Sequence, residues 1–124
     1  MERLRRRAAF KAVAGGRRVA SPGFVLQALK SGGEPGAASA ERPPRIGFTV
    51  TRKIGNAVVR NRIRRRLKAA VREAASHAEA ATDYVVVARR GALTLHFRRL
   101  VTDLMAGFDA LARGGKARTG QNAG

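Results

Sequence analysis

A run of cationic side chains carries the clearest chemistry in this sequence. Nine lysines and arginines fall within 21 residues: Arg52, Lys53, Arg60, Arg62, Arg64, Arg65, Arg66, Lys68 and Arg72. The window holds no acid, and the first one after it is Glu73. Arginine donates hydrogen bonds in a planar fork that fits phosphate oxygens, and it also stacks on nucleic-acid bases. The run therefore predicts a polyphosphate partner.

The same run keeps the apolar spacing of a packed helix. Gly55-Asn56 predicts a turn and an N-cap, followed by a helix of about 20 residues that ends near Ala75. Six apolar residues fall within about 120° of arc and should pack on a sheet: Val59, Ile63, Leu67, Ala70, Val71 and Ala74. The opposite face carries Asn61, Arg65, Lys68 and Arg72, with Arg62 and Arg66 on one flank and Arg60 and Arg64 on the other.

Like charges four residues apart on this helix repel one another, and no acid at that spacing offsets them. A bound polyanion is the natural compensation. Lys53 and the backbone amides of residues 55–57 would add a phosphate-sized site where the helix begins. Solvated helix faces ordinarily mix the two signs of charge, so we favour a binding face over a merely exposed one.

Composition narrows the class of protein. The 124 residues fit one domain, and 26 Lys plus Arg against 8 Asp plus Glu give a formal charge of +18, which opposes compaction. The absence of cysteine excludes disulfides and cysteine zinc sites. No apolar stretch is long enough to span a membrane, and no apolar segment follows the arginines near the N-terminus as a secretory signal requires. We expect a cytoplasmic protein that binds nucleic acid and no membrane.

Hydrophobic periodicity predicts an α+β sandwich of order αβββαβα, with helices against one sheet. A single RNA-binding domain would cover residues 1–112, with a flexible loop at 31–44 and a disordered basic, glycine-rich tail at 113–124. The predicted elements are helices at 5–14, 56–75 and 93–111, two short strands within 17–29, and strands at 45–51 and 83–89.

Residues 45–68 resemble the signature of the bacterial ribonuclease P protein component family. Arg60-Asn61-Arg62 matches the RNR motif of that family and follows the matching Lys-Ile-Gly-Asn-Ala-Val. Residues 3–13, 24–26 and 83–91 are similar to further family segments, so the resemblance covers about residues 3–112. It implies a fold like one domain of a ribosomal protein, with a left-handed βαβ crossover in place of the usual right-handed one.

The resemblance implies a role as the protein subunit of a ribonucleoprotein enzyme. Such a subunit binds the catalytic ribonuclease P RNA and promotes endonucleolytic removal of the 5′ leader from precursor tRNA. Mg²⁺ bound mainly by the RNA carries out the hydrolysis, so the catalytic centre is in the RNA and the isolated protein is expected to be inactive. No obligate protein partner is expected.

The resemblance also assigns binding residues to two surfaces. The catalytic RNA would be contacted by Arg60, Asn61, Arg62, Arg65, Arg66 and Lys68. A cleft for the single-stranded leader would be lined by Phe10 and Lys11, with Lys53, Arg89 and Arg90 at its edges. Phe10 would stack on a base, a contact worth about 1–3 kcal/mol. A second cleft aromatic that the family often has one helical turn after Phe10 is Ala14 here, and one sometimes found on the second strand is Gln27. Leader stacking is therefore expected to be weaker or to rely more on arginine.

The remaining polar candidates do not form a catalytic constellation in the protein. His77 and His96 lack metal-ligand spacing, and Asp103 and Asp109 do not resemble a paired-carboxylate site. The few acids are too scattered for a two-metal nuclease centre. We assign Phe48, Phe97 and Phe108 to the core and Tyr84 to packing.

Two other functions fit the composition. A structural RNA-binding protein of the ribosome would be equally small, basic and free of cysteine, and only the string from Lys53 to Arg62 argues against it. A DNA-binding helix-turn-helix protein would need a helix before the cationic helix, where residues 45–51 alternate as a strand does.

Overall fold

The fold is a single five-stranded sheet with helices on both faces. The computed structural model describes residues 1–30 and 42–113. The strands are β1 (Glu2–Arg3), β2 (Arg17–Ala20), β3 (Phe24–Lys30), β4 (Arg45–Thr49) and β5 (Thr82–Ala88). The helices are α1 (Arg7–Ala14), α2 (Ala57–Ala74), α3 (Gly91–Thr94) and α4 (Phe97–Ala112), with 3-10 turns at Arg52–Ile54 and Ala75–His77 flanking α2.

The predicted α+β class is confirmed, but the predicted order αβββαβα is incomplete in two places. It lacks β1, and the single last helix predicted at 93–111 is wrong because the chain turns extended at Leu95 and His96, with ψ of 150° and 141°. The described residues therefore run βαβββαβαα.

Strand order in the sheet is β1-β4-β5-β3-β2. β4 pairs in parallel with both β1 and β5, whereas β3 is antiparallel to β5 and to β2. Helix α2 connects the parallel neighbours β4 and β5, which is the predicted βαβ unit; the left-handed path of this crossover stays a prediction. Because a strand precedes α2, the helix-turn-helix alternative is wrong.

The main core lies between the sheet and the pair α2 and α4. Alternate residues of the central strands face these helices, among them Leu26 and Val86, which are fully buried. The predicted apolar stripe of α2 is confirmed, since Ile63, Leu67, Ala70, Val71 and Ala74 are buried and Val59 is partly buried against the same core. No helix in the described part of the chain is long and apolar enough to cross a membrane.

Helix α1 covers the opposite face of the sheet, where it forms a smaller core. Val13 packs with Leu4 and Val85, and Phe10 and Val87 join them from the rim. Val85 and Val87 alternate along β5 with the residues that face α2 and α4. The helices therefore lie on two faces of the sheet, and α1 is separated from α2 by the sheet itself.

A buried carboxylate fixes the start of β4 and β5. Asp83 accepts hydrogen bonds from Arg42 Nη2 at 3.0 Å and from Arg45 Nε and Nη2 at 2.9 and 3.1 Å. The Ala81 amide also donates to the carbonyl of Arg42 at 2.8 Å. These bonds tie residues 42–44, the end of the predicted 31–44 loop, to β5. Residues 31–41 and 114–124, which hold the rest of that loop and nearly all of the predicted tail, lie outside the described residues.

Candidate nucleic-acid interface

Helix α2 begins at an asparagine cap. The Asn56 side chain accepts a hydrogen bond from the Val59 amide at 2.9 Å, which satisfies a donor that the first turn leaves without a partner. Gly55 allows the close approach before the cap, because a Cβ at this position would lie 3.0 Å from Val59 Cγ1. The predicted turn and cap at Gly55-Asn56 are confirmed.

One side of α2 points entirely to solvent. We call it the exposed face of α2, and it comprises Val58, Asn61, Arg62, Arg65 and Arg72. These residues lie within about 100° of arc, opposite the buried stripe. Three of the residues predicted to face the catalytic RNA, Asn61, Arg62 and Arg65, therefore lie together and accessible on one rigid surface.

A groove of about 620 Å³ opens between the N-terminal segment, β4 and one flank of α2. We call it the β4 groove. Its lining residues are Met1, Glu2, Arg3, Leu4, Arg5, Phe10, Ile46, Gly47, Phe48, Arg64, Lys68, Val71, Arg72 and Ala75. Five of these side chains are arginine or lysine, and Glu2 is the one acid among them. Lys68 and Arg72, predicted on the face opposite the apolar stripe, thus lie at the groove as well.

The ring of Phe10 lies directly on the backbone of Gly47. A Cβ added at Gly47 would meet Phe10 Cζ at 2.3 Å and Cε2 at 2.6 Å, so only glycine leaves room for the ring in this position. Phe10 is half-buried and lines the β4 groove, so one part of the ring packs on the smaller core and another part stays accessible. Lys11, the next residue, is exposed.

A second aromatic in the β4 groove is Phe48. It packs against the main core, as predicted. It is also half-buried and lines the groove, which the prediction did not include. The positions where an aromatic was missing, Ala14 and Gln27, are exposed and half-buried respectively and do not belong to the groove lining. The groove therefore holds two aromatic rings from α1 and β4, and none from β3.

Two arginines of α2 turn back toward the fold. Arg66 donates from Nε to the Ala92 carbonyl at 3.0 Å and from Nη2 to the Leu95 carbonyl. Arg60 donates from Nε to the Gly55 carbonyl at 3.1 Å. Both were grouped with the RNA-facing residues, yet part of each guanidinium is engaged with main-chain carbonyls. Their positions at the borders of the apolar stripe were the sequence signal for this role.

Lys53, Arg89 and Arg90 lie away from the β4 groove, and none of them belongs to its lining. β4 and β5 are parallel neighbours, so the segments that follow them, which carry these three residues, emerge at the same edge of the sheet. Arg89 Nη1 donates to the Ser21 carbonyl and Arg90 Nη1 to the Ile54 carbonyl, each at 3.1 Å. The predicted edge of the leader cleft is thus a separate cationic cluster beside the start of α2.

Other titratable groups have structural surroundings. Burial raises the pKa of Tyr84 above 10.0, its ring meets that of Phe108 edge-on at 4.8 Å, and its hydroxyl accepts from the Glu79 amide. The predicted packing role of Tyr84 is confirmed. His77 Nδ1 lies 3.0 Å from Asp109 Oδ1. Within residues 1–30 and 42–113, no three His, Cys, Asp or Glu side chains are close enough to hold a metal ion.

Comparison with known proteins decides between the RNA-binding classes that remained open. The family model described as Ribonuclease P matches residues 1–112. The chain belongs to the ribonuclease P protein family. The ribonuclease P protein component of Brucella melitensis biotype 2 is 45% identical over 122 residues, which cover 94% of this chain and 86% of the relative. That of Gluconacetobacter diazotrophicus is 50% identical over 104 residues, covering 82% and 84%.

Solved structures agree with the fold. The RNase P protein of Staphylococcus aureus superimposes with a TM-score of 0.68 at 26% identity, covering 94% of this chain and 97% of that chain. The Thermotoga maritima protein, at 24% identity, gives a TM-score of 0.70 over 88% and 96% and supports the fold alone. The known role of the family is 5′ processing of tRNA together with the RNA subunit, and this is the function of the chain.

Sequence reasoning missed the residues that complete the β4 groove. Arg3 and Arg5 were noted only as part of a basic N-terminus, and Arg64 only as a flank of the helix, yet all three line the groove. Gly47 lies in the strand predicted at 45–51, and nothing in the alternation of that segment indicated that Phe10 would lie on it. The four-residue spacing of Arg64, Lys68 and Arg72 was the available signal that these cations share one flank.

Proposed function

We propose that the two cationic surfaces of this protein bind two different RNAs. The β4 groove takes the single-stranded 5′ leader of precursor tRNA, and the exposed face of α2 contacts the catalytic ribonuclease P RNA. The observation that carries the assignment is the β4 groove, whose lining combines five cationic side chains with the rings of Phe10 and Phe48. This combination suits single-stranded RNA, because cationic side chains attract the backbone phosphates and aromatic rings stack on bases without sequence preference.

The exposed face of α2 suits a structured RNA rather than a flexible strand. Asn61, Arg62 and Arg65 stand on a helix whose other side is buried, so they present fixed donors to a rigid partner. Lys53 is exposed in the turn before α2, and we assign it to the same RNA-facing surface. This moves Lys68 to the leader and Lys53 to the catalytic RNA, relative to the assignment that the family resemblance implied.

Catalysis in this proposal belongs to the RNA subunit. The RNA would hold Mg²⁺. The protein would bind the leader and the catalytic RNA in a fixed relative position, without contributing a reacting group. The described acids do not form a ligand cluster that suits Mg²⁺, which takes oxygen ligands and retains several waters. The proposal also places the ribonucleoprotein in the cytoplasm, with precursor tRNA as its substrate and no obligate protein partner.

Two matched double variants on α2 test the assignment of surfaces. Arg64→Ala/Lys68→Ala removes two charges from the β4 groove, and Arg62→Ala/Arg65→Ala removes two from the exposed face. In holoenzyme reconstituted with a bacterial ribonuclease P RNA, we expect the groove variant to bind precursor tRNA more weakly and to bind mature tRNA as the wild type does. We expect the exposed-face variant to bind the catalytic RNA more weakly. Each lost phosphate contact should reduce the slope of log K against log salt by about 0.7–0.9, so the loss of two contacts should reduce it by about 1.4–1.8.

Each variant is the control for the other, because both remove the same charge from the same helix. Equal effects on both RNAs would mean that only the total charge matters and that the two surfaces have no separate partners. For the catalytic step, the isolated protein should not cleave precursor tRNA, and adding the RNA at low magnesium should restore 5′ processing. Cleavage by the protein alone would contradict a catalytic centre in the RNA.

A further inference from the structure

Val58, the second residue of α2, has an apolar side chain that the core does not use. It is 69% exposed, more than Met1 at 43% or Leu29 at 38%, which are the other exposed large hydrophobic residues in the described part of the chain. Its neighbour Val59 begins the apolar stripe of α2 and packs against the main core. The packing of α2 on the sheet therefore does not explain Val58.

The stability of α2 does not explain Val58 either. Alanine and unbranched side chains have a higher helix propensity than valine. An acid near the start of a helix would favour the positive end of the helix dipole, yet the first turn of α2 holds no acid. Either alternative would suit the free helix better than an exposed valine, although an acid would repel RNA. An apolar side chain at position 58 suits a binding partner of α2 rather than the helix itself.

Val58 lies in the middle of the exposed face of α2. At about 100° per residue, Arg62 lies about 40° from Val58 to one side of the helix. Arg65 and Asn61 lie about 20° and 60° from it to the other side. Asn61 and Arg62 are also its neighbours at three and four residues along the chain, so these side chains flank it. The exposed face therefore combines one apolar group with donors to phosphates and bases.

We propose that Val58 packs on the face of an unstacked base of the catalytic RNA, in a contact that the surrounding arginines do not supply. Structured RNA presents such bases in its loops and bulges, where protein side chains reach them. A β-branched side chain in a helix keeps essentially one χ1 rotamer, so forming the contact costs little conformational entropy.

This contact would add selectivity to the charge of the exposed face of α2. Phosphates are available on any RNA, whereas a base at one place opposite Val58 depends on the fold of one particular RNA. Val58 is thus a further residue for recognition of the catalytic RNA. The inference rests on the proposed function, in which the exposed face of α2 contacts that RNA.

The salt dependence of binding separates this contact from a phosphate contact. The affinity of the wild type, Val58→Ala and Arg62→Ala for a bacterial ribonuclease P RNA is measured at several salt concentrations. Val58→Ala should bind about 4- to 15-fold more weakly at each of them, at about fourfold per buried methyl group, with the slope of log K against log salt unchanged. Arg62→Ala should instead reduce that slope by about 0.7–0.9. Wild-type affinity in Val58→Ala, or a reduced slope, overturns the proposal.

Selectivity provides a second readout. For an unrelated structured RNA of equal length, Val58→Ala should bind as the wild type does, because phosphate contacts alone hold that RNA. Arg62→Ala should lose affinity for both RNAs. Equal losses of Val58→Ala for the two RNAs would rule out a contact that belongs to the catalytic RNA.

Two further variants separate the contact from effects on folding. Alanine raises the helix propensity at position 58 and threonine keeps it close to that of valine, so a loss of affinity in both variants cannot come from a weaker helix. Val58→Thr replaces one methyl group by a hydroxyl and should lose about fourfold. Leu29→Ala is the matched control, because this exposed leucine alternates along β3 with residues such as Leu26 that face α2 and α4. It should bind the catalytic RNA as the wild type does, at a temperature where thermal unfolding shows every variant to be folded.

The same titrations distinguish this inference from the proposed function. Wild-type affinity and slope in Arg62→Ala/Arg65→Ala overturn both, because the exposed face of α2 then does not meet the catalytic RNA. A weakened Arg62→Ala/Arg65→Ala, together with Val58 variants that bind as the wild type does, overturns only the role of Val58.

Discussion

The contact between Phe10 and Gly47 makes Gly47→Ala a sharp probe of the β4 groove. The new Cβ would lie 2.3 Å from Phe10 Cζ and 2.6 Å from Cε2, whereas carbon atoms in contact prefer about 3.5–4.0 Å. The ring must therefore retreat by about 1 Å or more from the strand. The two shortest contacts involve the far end of the Phe10 side chain, and Leu4 Cβ, at 3.2 Å, has to yield by only a few tenths of an ångström. We therefore expect the ring to rotate away while the fold persists.

The magnitude follows from what the displaced ring does. Stacking of a base on an aromatic side chain contributes about 1–3 kcal/mol, so losing it weakens binding about 5- to 150-fold. Stability should change by less than about 1 kcal/mol, because alanine suits a strand interior better than glycine and offsets part of the repacking. Gly47→Ala should therefore resemble Phe10→Ala in binding while it stays close to the wild type in thermal unfolding.

The assay compares precursor tRNA with mature tRNA in the reconstituted holoenzyme. Gly47→Ala and Phe10→Ala should each lower the affinity for precursor tRNA and leave the affinity for mature tRNA unchanged. The double variant should bind precursor tRNA no more weakly than Phe10→Ala alone. Gly15→Ala is the matched control, since a Cβ there meets its nearest neighbour at an ordinary 3.6 Å. Full leader affinity in Gly47→Ala, or an equal loss for both substrates, would refute the reasoning.

Two other predictions concern residues whose roles the structure separates. Arg66→Ala should lower the free energy of unfolding by about 1.5–3 kcal/mol because two carbonyls lose a charged donor, whereas Arg65→Ala should change it by less than about 0.5 kcal/mol, both measured by urea denaturation. Burial raises the pKa of Tyr84, so the folded state keeps its proton to higher pH than the unfolded state does. The stability that Tyr84 contributes should be complete below about pH 10 and decline as pH rises through the raised pKa. As pH rises across this range, the melting temperature should fall more steeply for the wild type than for Tyr84→Phe. The absorbance of tyrosinate reports the ionisation of the single tyrosine directly. Titration of this tyrosine near pH 10 in the folded protein would contradict the burial argument.

The parts of the fold with a strong periodic pattern were predictable from sequence. Helix α2 carries both an apolar stripe and a capping asparagine, and the middle of β5 is a run of three valines, of which Val85 and Val86 are buried. Strand β1 was not predictable, because two residues cannot show alternation. It is defined by backbone bonds to β4 instead, such as that from the Leu4 amide to the Ile46 carbonyl at 2.9 Å.

Tertiary contacts explain the errors at the end of the chain. The residues around Leu95 and His96 are compatible with a helix, so local propensity predicts one continuous element through them. The observed break leaves the Leu95 carbonyl available to Arg66 of α2, a partner 29 residues away. The local periodicity of hydrophobic residues cannot indicate a contact between residues so far apart in sequence.

Of the two functional surfaces, one was predictable from local sequence and the other depends on tertiary contacts. Helical geometry alone predicts most of the exposed face of α2, since Asn61, Arg65 and Arg72 were expected opposite the apolar stripe and are exposed. That the catalytic RNA contacts this face stays a prediction. The β4 groove combines three segments that are distant in sequence, and only the folded chain places Arg3, Phe48 and Arg64 around one volume. Outward and inward arginines cannot be separated by residue type, because Arg65 and Arg66 are the same residue one position apart.

Helix α2 links the two proposed binding surfaces in a fixed geometry. Its 18 residues extend about 27 Å, one flank forms a wall of the β4 groove, and the adjoining face is fully exposed. Arg72 belongs to both, so the two surfaces are continuous across one helix. An RNA bound on the exposed face and a strand bound in the groove would be held at a separation that the helix cannot vary. A buried apolar stripe from Ile63 to Ala74 holds that helix on the sheet, and this packing is what would convert affinity for two RNAs into their alignment.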